Sequence, residues 1–196
     1  MLDCLDIARY FIARAYDDGR EADMTNMKVQ KLLYYAQSLH LALYDEPLFE
    51  NEMQAWRYGP VCPPAYRFYS DFEANQLPIP DSAELATIPT LQQQLLDEVW
   101  DYFGLHHAYV LSSMTHLEFP WKKARRGLPE RASSTEPIAL EDMHLLGEQK
   151  LLEIERDHPA YHFLVVNALR DAFDPAQPQP VIQRENIDDW LESLLA

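Results

Sequence analysis

The side chains best equipped for chemistry fall into two short stretches: His106, His107, His116 and Glu118 in one, and Trp56-Arg57-Tyr58 ahead of Gly59-Pro60 in the other. The histidines suggest a metal, but helical zinc ligands stand at i and i+3 or i+4, and turn-borne ones come as paired CxxC. Neither spacing is present, and adjacent His106 and His107 cannot both face one ion from a regular helix. They read better as helix ends and a hydrogen-bonded histidine, so no metal or other cofactor is expected. His116 and Glu118 could act as general base and acid, which is the hydrolase-like alternative. No GxSxG string or nearby cysteine accompanies them, and five glycines leave no phosphate-cradling loop. Glu118, just before Pro120-Trp121, also suits the positive end of a helix dipole. No catalytic residue is therefore assigned.

Trp, Tyr and Arg dominate protein-binding hot spots, which makes Trp56, Arg57 and Tyr58 candidates for contact with a partner. The competing reading puts Trp56 and Tyr58 on one strand face against the core, with Arg57 opposite. Lys122, Lys123, Arg125, Arg126 and Arg131 form the one basic cluster. It fits a solvated helix face, an acidic partner or, as a further alternative, a DNA-binding operon regulator working through 122–131. The formal charge of −16, from 32 acids against 16 bases, repels phosphate backbones and anionic lipid. Nucleic acid and membrane are thus disfavoured as partners.

The 196 residues, 47% of them apolar, suffice for one ordinary domain with a terminal appendage and a full core. Cys4 and Cys62 stand far apart without a CxxC, which argues for a reducing compartment. No apolar run approaches a membrane span, and MLDCLDIARYF carries acids where a secretory signal carries bases. The expected location is cytoplasmic.

Hydrophobic periodicity predicts a mainly α (α+β) fold, a compact multi-helix domain with a small hairpin or short sheet around 47–58. A first amphipathic helix runs from Asp3 to Tyr16 and ends at Asp17-Asp18-Gly19. A second starts at the N-cap Thr25, carries Leu32, Ala36, Leu39 and Leu43 as one stripe, and stops before Asp45. Tyr34 and Tyr35 straddle that stripe, so one ring should be only partly buried. Residues 52–58 alternate like a strand, with the segment 47–49 as the expected partner. Pro63-Pro64 opens a helix through Tyr66, Phe68, Tyr69 and Phe72. Residues 75–89 are a loop. Thr90 with Gln93 reads as a capping box, and Leu91, Leu95, Val99 and Tyr102 form the apolar face of the helix that follows. Helices about 107–117 and, between Pro120 and Gly127, a short basic one come next. After Pro137 a long helix reaches about Asp157, and Pro159 starts another bearing Phe163, Val166, Leu169 and Phe173. A proline-rich linker at 174–180 leads to a terminal amphipathic helix with Ile187, Trp190, Leu191 and Leu194 on one side. Trp190 and Leu191 could dock on a partner, cover the protein's own core or form a homodimer contact. The expected division is a domain over 1–147 and a helical extension over 148–196.

Three blocks resemble a known family. Thr25-Asn26-Met27-Lys28-Val29-Gln30-Lys31-Leu32-Leu33-Tyr34-Tyr35-Ala36-Gln37 is similar to the signature helix of the Panacea domain, also called the SocA-like antitoxin or phage-associated GepA-like family. Glu46-Pro47-Leu48-Phe49 with Ala55-Trp56-Arg57-Tyr58-Gly59-Pro60-Val61 resembles its second block. Leu111 to Trp121 with Ala124-Arg125 resembles its third. The resemblance implies an antitoxin that neutralises a cognate toxin, encoded by a neighbouring gene, by direct protein–protein binding. An adaptor role that hands the toxin to a protease also falls within the family. His116, Glu118, Trp121, Lys122, Arg125 and Arg126 then join Trp56, Arg57, Tyr58, Trp190 and Leu191 as candidate partner-binding residues. Cys62, within Pro60-Val61-Cys62-Pro63-Pro64, departs from the family pattern, and so do the 128–137 loop and the residues after 148.

Overall fold

The computed structural model describes residues 2–129 and 131–157. Helix α1 (Cys4–Asp17) begins in a capping box: Leu5 N–H donates to Asp3 Oδ1 at 2.8 Å and Asp3 N–H to Asp6 Oδ2 at 3.2 Å. It ends at Gly19, whose φ of +66° turns the chain away. Ile7, Ala8, Phe11, Ile12 and Ala15 are its buried face.

Helix α2 (Asn26–Tyr44) is the centre of the molecule. Thr25 caps it through the Lys28 N–H, and Asp45 ends it in the left-handed conformation at φ 55°. Every residue from Lys28 to Leu41 is buried, because α1, α4 (Thr90–Phe103), α5 (Ala108–Leu117), α7 (Leu140–Asp157), α3 (Pro63–Phe68) and strand β2 (Gly59–Val61) all pack on it. This corrects the expectation for Tyr34 and Tyr35: both rings are fully buried, since the helix has no solvent face. Tyr35 stacks on Phe103 with centroids 3.9 Å apart and donates its hydroxyl to Glu118 Oε1 at 3.0 Å.

A helix enclosed on all sides buries its polar residues too, and each then needs a partner. Gln37 accepts from the backbone N–H of Leu48 and Phe49 and donates to Phe49 O. Gln30 accepts from Cys62 N–H and donates to Asn26 Oδ1. His40 meets Glu46 O at 2.7 Å. Lys31 donates to Pro60 O at 2.9 Å, and complete burial pulls its ammonium down to about 7. Lys28, lowered to about 8, is pulled first by burial and then by the nearby charge of Arg20.

Strand β1 (Gln54–Trp56) pairs antiparallel with β2, Trp56 opposite Gly59 and Gln54 opposite Val61. The strand is thus shorter than the run 52–58, and its partner is not 47–49. Gln37 holds that segment instead, and Phe49 forms a parallel bridge with Leu2. The other edge of β1 is covered by the chain near Pro137, where Ala55 N–H donates to Glu136 O and Ile138 N–H to Met53 O, each at 2.8 Å.

Helix α3 is six residues long and is followed by a 3-10 turn over Ser70–Phe72. The N-cap of α4 is Pro89, so Thr90 is the first helical residue and the expected capping box does not form. His107 caps α5 through the Tyr109 N–H. Helix α6 (Phe119–Ala124) ends before Gly127 at φ +79°. Helix α7 lies along α2 so closely that a Cβ on Gly147 would stand 2.0 Å from Ser38 O. The fold is mainly α with a two-stranded antiparallel sheet. No helix among the described residues is long and apolar enough to cross a membrane. The expected helix from Pro159, the 174–180 linker and the terminal helix with Trp190 and Leu191 lie outside the described residues.

Two outcomes follow from the packing around α2. Gly147→Ala forces the α2–α7 seam apart and should cost about 1–3 kcal/mol of stability, read as a lower urea midpoint. Lys31 binds a proton in the unfolded chain but not in the folded one between about 7 and the ordinary 10.5, so stability rises with pH through that window. Lys31→Met should gain less stability between about pH 7 and about pH 9 than the parent. Equal gains would exclude Lys31 as the responsible group.

Candidate functional site

The hairpin is too small to satisfy its own backbone, and side chains from other elements complete it. Arg125 Nη1 donates to Ala55 O at 3.2 Å, and Trp121 Nε1 to Trp56 O at 2.8 Å. His116 Nε2 meets Arg57 O at 2.9 Å, and Ser112 Oγ donates to Tyr58 O at 3.2 Å. Four successive carbonyls are thereby engaged from α5, α6 and the residue after it, and Lys31 takes Pro60 O from below. Gly59 is required at the turn, because φ is +99° and a Cβ would stand 2.7 Å from both Lys31 Nζ and Thr115 Oγ1.

Several candidate residues therefore work on the inside of the protein. Trp121 and Arg125 are only 3% and 2% exposed, so their expected place on a partner-binding surface is corrected. Arg125 also donates to Pro129 O and Ala132 O, and its guanidinium lies 4.6 Å from the Trp121 ring centroid. A flat, many-donor cation suits a site of several buried carbonyls. The second ring nitrogen of His116 faces Ser112 O at 2.5 Å, so backbone occupies both nitrogens. Glu118 turns elsewhere, to Tyr35 and to Lys150 Nζ at 3.3 Å. Burial raises its carboxyl, with Lys150 opposing the rise. Burial pulls Lys150 down, but its hydrogen bond to Glu153 and the charge of Glu118 outweigh that, leaving it above its usual value. His116 and Glu118 thus have separate partners and do not form an acid–base pair with each other.

The basic cluster is divided as well. Lys122, Lys123 and Arg126 are all exposed; Lys123 is held by Asp142 at 2.6 Å, and Lys122 donates to Leu117 O. Among the described residues no three His, Cys, Asp or Glu side chains converge to hold a metal.

The outward products of the anchoring are Arg57 and Tyr58. They form the hairpin turn, so Trp56 and Tyr58 do not share a strand face as the alternation suggested. Tyr58 is 59% exposed, with the Arg57 guanidinium 5.0 Å from its ring centroid. Beneath them lies a cavity of about 470 Å³ walled by Met27, Trp56, Arg57, Tyr58, Tyr66 and the loop Ser133–Thr135. Trp56 and Tyr66 meet edge to face at 4.9 Å, and Trp56 Nε1 is spent on Gln54. A smaller hollow shares Met27 and Glu73 and continues to His107 and the exposed Tyr109. Aromatic walls with one guanidinium at the mouth suit an apolar or aromatic side chain whose polar end stays near Arg57. Tyr66, Tyr109 and Ser133–Thr135 carried no signal as surface residues. Only the Pro63-Pro64 helix start hinted that Tyr66 would follow the hairpin closely.

Residues 29–122 match the model of the family described as antitoxin SocA-like, Panacea domain. A stretch of 47 residues, 24% of this chain, is 40% identical to the protein named Antitoxin SocA of Caulobacter vibrioides (strain NA1000 / CB15N). That stretch spans a quarter of the relative's own length, at 25%. No solved structure matches the chain. The matched region covers α2 from Val29 onward, the hairpin and the side chains Ser112, His116 and Trp121 that hold it, and over these residues the chain is similar to the antitoxin SocA-like, Panacea domain family.

Proposed function

We propose that this chain is an antitoxin that neutralises a cognate toxin protein by binding it directly, with the hairpin tip and the cavity beneath it as the contact surface. The observation that carries the reading is the outward pair Arg57 and Tyr58, presented on a turn whose carbonyls are fixed from behind. Pre-fixing such a tip lowers the ordering cost of association. The family match and the relative named as an antitoxin support the antitoxin role. The net charge of −16 adds long-range attraction toward a basic toxin. Loop 133–135 lies outside the family match yet walls the cavity, which suits a segment that selects the target. Lys122 and Arg126, both exposed, would join the periphery of the contact, and Trp190 and Leu191, outside the described residues, would supply a second one. The toxin is the product of a neighbouring gene, met in the cytoplasm, and delivery of it to a protease is compatible with the same surface. An enzymatic role for His116 and Glu118 has less support, since they face different partners.

Expression of the neighbouring gene alone should arrest growth, and co-expression with this chain should restore it and yield a complex. Tyr58→Ala and Arg57→Glu should each weaken that complex by at least about tenfold, or roughly 1.4 kcal/mol, with unchanged melting. If both variants bind like the parent, the toxin is held elsewhere. A harmless neighbour that never co-elutes would remove the antitoxin reading itself.

A further inference from the structure

We propose, on the antitoxin reading, that the cavity beneath the hairpin tip receives the C-terminal residue of the toxin, with an aromatic or large apolar side chain against Trp56, Tyr66 and Met27 and the terminal carboxylate toward Lys31 and Arg57. The cavity measures about 470 Å³, within the span of roughly 300–1,000 Å³ over which proteins enclose small ligands. Its lining has two chemistries. Trp56, Tyr66 and Met27 supply apolar area, and Asn26, Gln30 and Lys31 of α2 line it as well. Those three polar side chains are at most 3% exposed. The wall is also fixed in place. Loop 133–135 is tied on one side by Arg125 Nη2, which donates to Ala132 O at 2.8 Å, and on the other by Ala55 N–H, which donates to Glu136 O at 2.8 Å.

The buried polar side chains offer more donors than the protein uses. A lysine ammonium carries three N–H donors and a primary amide two. Asn26 Nδ2 donates to Tyr66 O at 3.0 Å, Gln30 Nε2 to Asn26 Oδ1 at 2.9 Å, and Lys31 Nζ to Pro60 O at 2.9 Å. Each group keeps at least one N–H without an acceptor among the described residues, and buried donors of this kind call for one. Arg57 adds a guanidinium at the mouth, while Glu73 is the one acid in the lining, where the smaller hollow begins. The site is therefore locally cationic in a chain of formal charge −16. A carboxylate accepts from several donors at once. An aspartate or glutamate side chain would satisfy those donors and leave the aromatic wall uncovered, and a phenylalanine inside a chain would do the reverse. The last residue of a chain carries a carboxylate and a side chain on one Cα and meets both requirements, as in other captures of a chain end.

Lys31 gives this contact a pH dependence. Burial pulls its ammonium down to about 7 in the free protein, whereas a neighbouring carboxylate favours the protonated form. Gly59, Pro60 and Thr115 are the neutral groups next to its Nζ, and Arg57 and Glu73 are the other charged residues lining the same cavity. Above about 7 the carboxylate therefore binds together with a proton, and affinity falls as pH rises through that region.

The test titrates the full-length protein with N-acetyl-L-phenylalanine and with its amide, N-acetyl-L-phenylalaninamide, following the Trp56 indole N–H by two-dimensional NMR. A second arm compares the neighbouring gene product with its natural end and with a Gly-Ser-Gly extension after its last residue. The acid should shift the Trp56 resonance and bind at least about tenfold more tightly than the amide. Arg57→Gln and Lys31→Met should each weaken the acid and leave the amide unchanged. The dissociation constant of the acid should rise about tenfold from about pH 7 to about pH 8.5 in the parent and stay level in Lys31→Met. The extended gene product should bind at least about tenfold more weakly than the natural one. Equal binding of acid and amide, or an acid that leaves Trp56 unshifted, would overturn the proposal. So would full affinity of the extended gene product beside a bound acid, because the cavity would then serve a free aromatic acid and not a chain end. Arg57 stands on an exposed turn and the probe pair needs no substitution, so a misfolded Lys31→Met does not remove the decision. A neighbour that forms no complex with either end removes the antitoxin reading, whereas the acid–amide comparison involves no toxin, so the two failures are distinguishable.

Discussion

A buried carbonyl oxygen without a donor costs about 1–3 kcal/mol, and a two-stranded hairpin pressed against helices has several of them. Strands of three residues cannot supply the missing donors. Arg125, Trp121, His116, Ser112 and Lys31 do so, from α5, α6 and its flank, and α2. This requirement sets the positions of much else. The α5–α6 corner must lie behind the turn, α2 must carry a cation at the one position below Pro60, and the turn must be glycine at 59. The side chains that look most like catalytic equipment are committed to holding main chain.

The same logic extends along α2. Because six other elements pack on it, polar side chains enter the core as connectors. Gln37 fixes the 48–49 segment and Gln30 fixes Cys62, each through backbone N–H groups. Tyr35, Glu118 and Lys150 link α2, the α5–α6 corner and α7. The pair Glu118–Lys150 is poorly solvated, with side chains 8% and 10% exposed. Removing one partner from such a site leaves the other charge uncompensated, so these contacts act more as constraints on mutual placement than as independent sources of stability.

Elements defined by local chemistry were readable from the sequence. The caps at Thr25, Asp45 and Gly19, the proline-first start of α3 and the long helix after Pro137 all follow from residue type and spacing. What depends on distant parts of the chain was not. The periodicity of α2 describes one apolar stripe, but enclosure by neighbours decides that Tyr34 and Tyr35 are both buried. Alternation over 52–58 cannot reveal that residues 57 and 58 are a turn, nor that the second strand lies downstream and not at 47–49. Thr90 has the composition of a cap, yet Pro89 takes that place. At the candidate site, residue type alone does not separate Arg57 and Tyr58, which the turn exposes, from Trp121 and Arg125, which are buried against main-chain carbonyls, because the same types serve either place.

The hairpin is gripped through its main-chain oxygens, and every amino acid provides the same oxygen. The scaffold behind the tip is therefore nearly blind to the identity of residues 57 and 58, provided that the turn and Gly59 are kept. Affinity can be rewritten at those two positions, and in the adjoining loop 133–135, without renegotiating the core. In this respect the domain behaves like a holder with an interchangeable bit, a property that would suit directed selection of binders for new targets as well as it suits an inherited one.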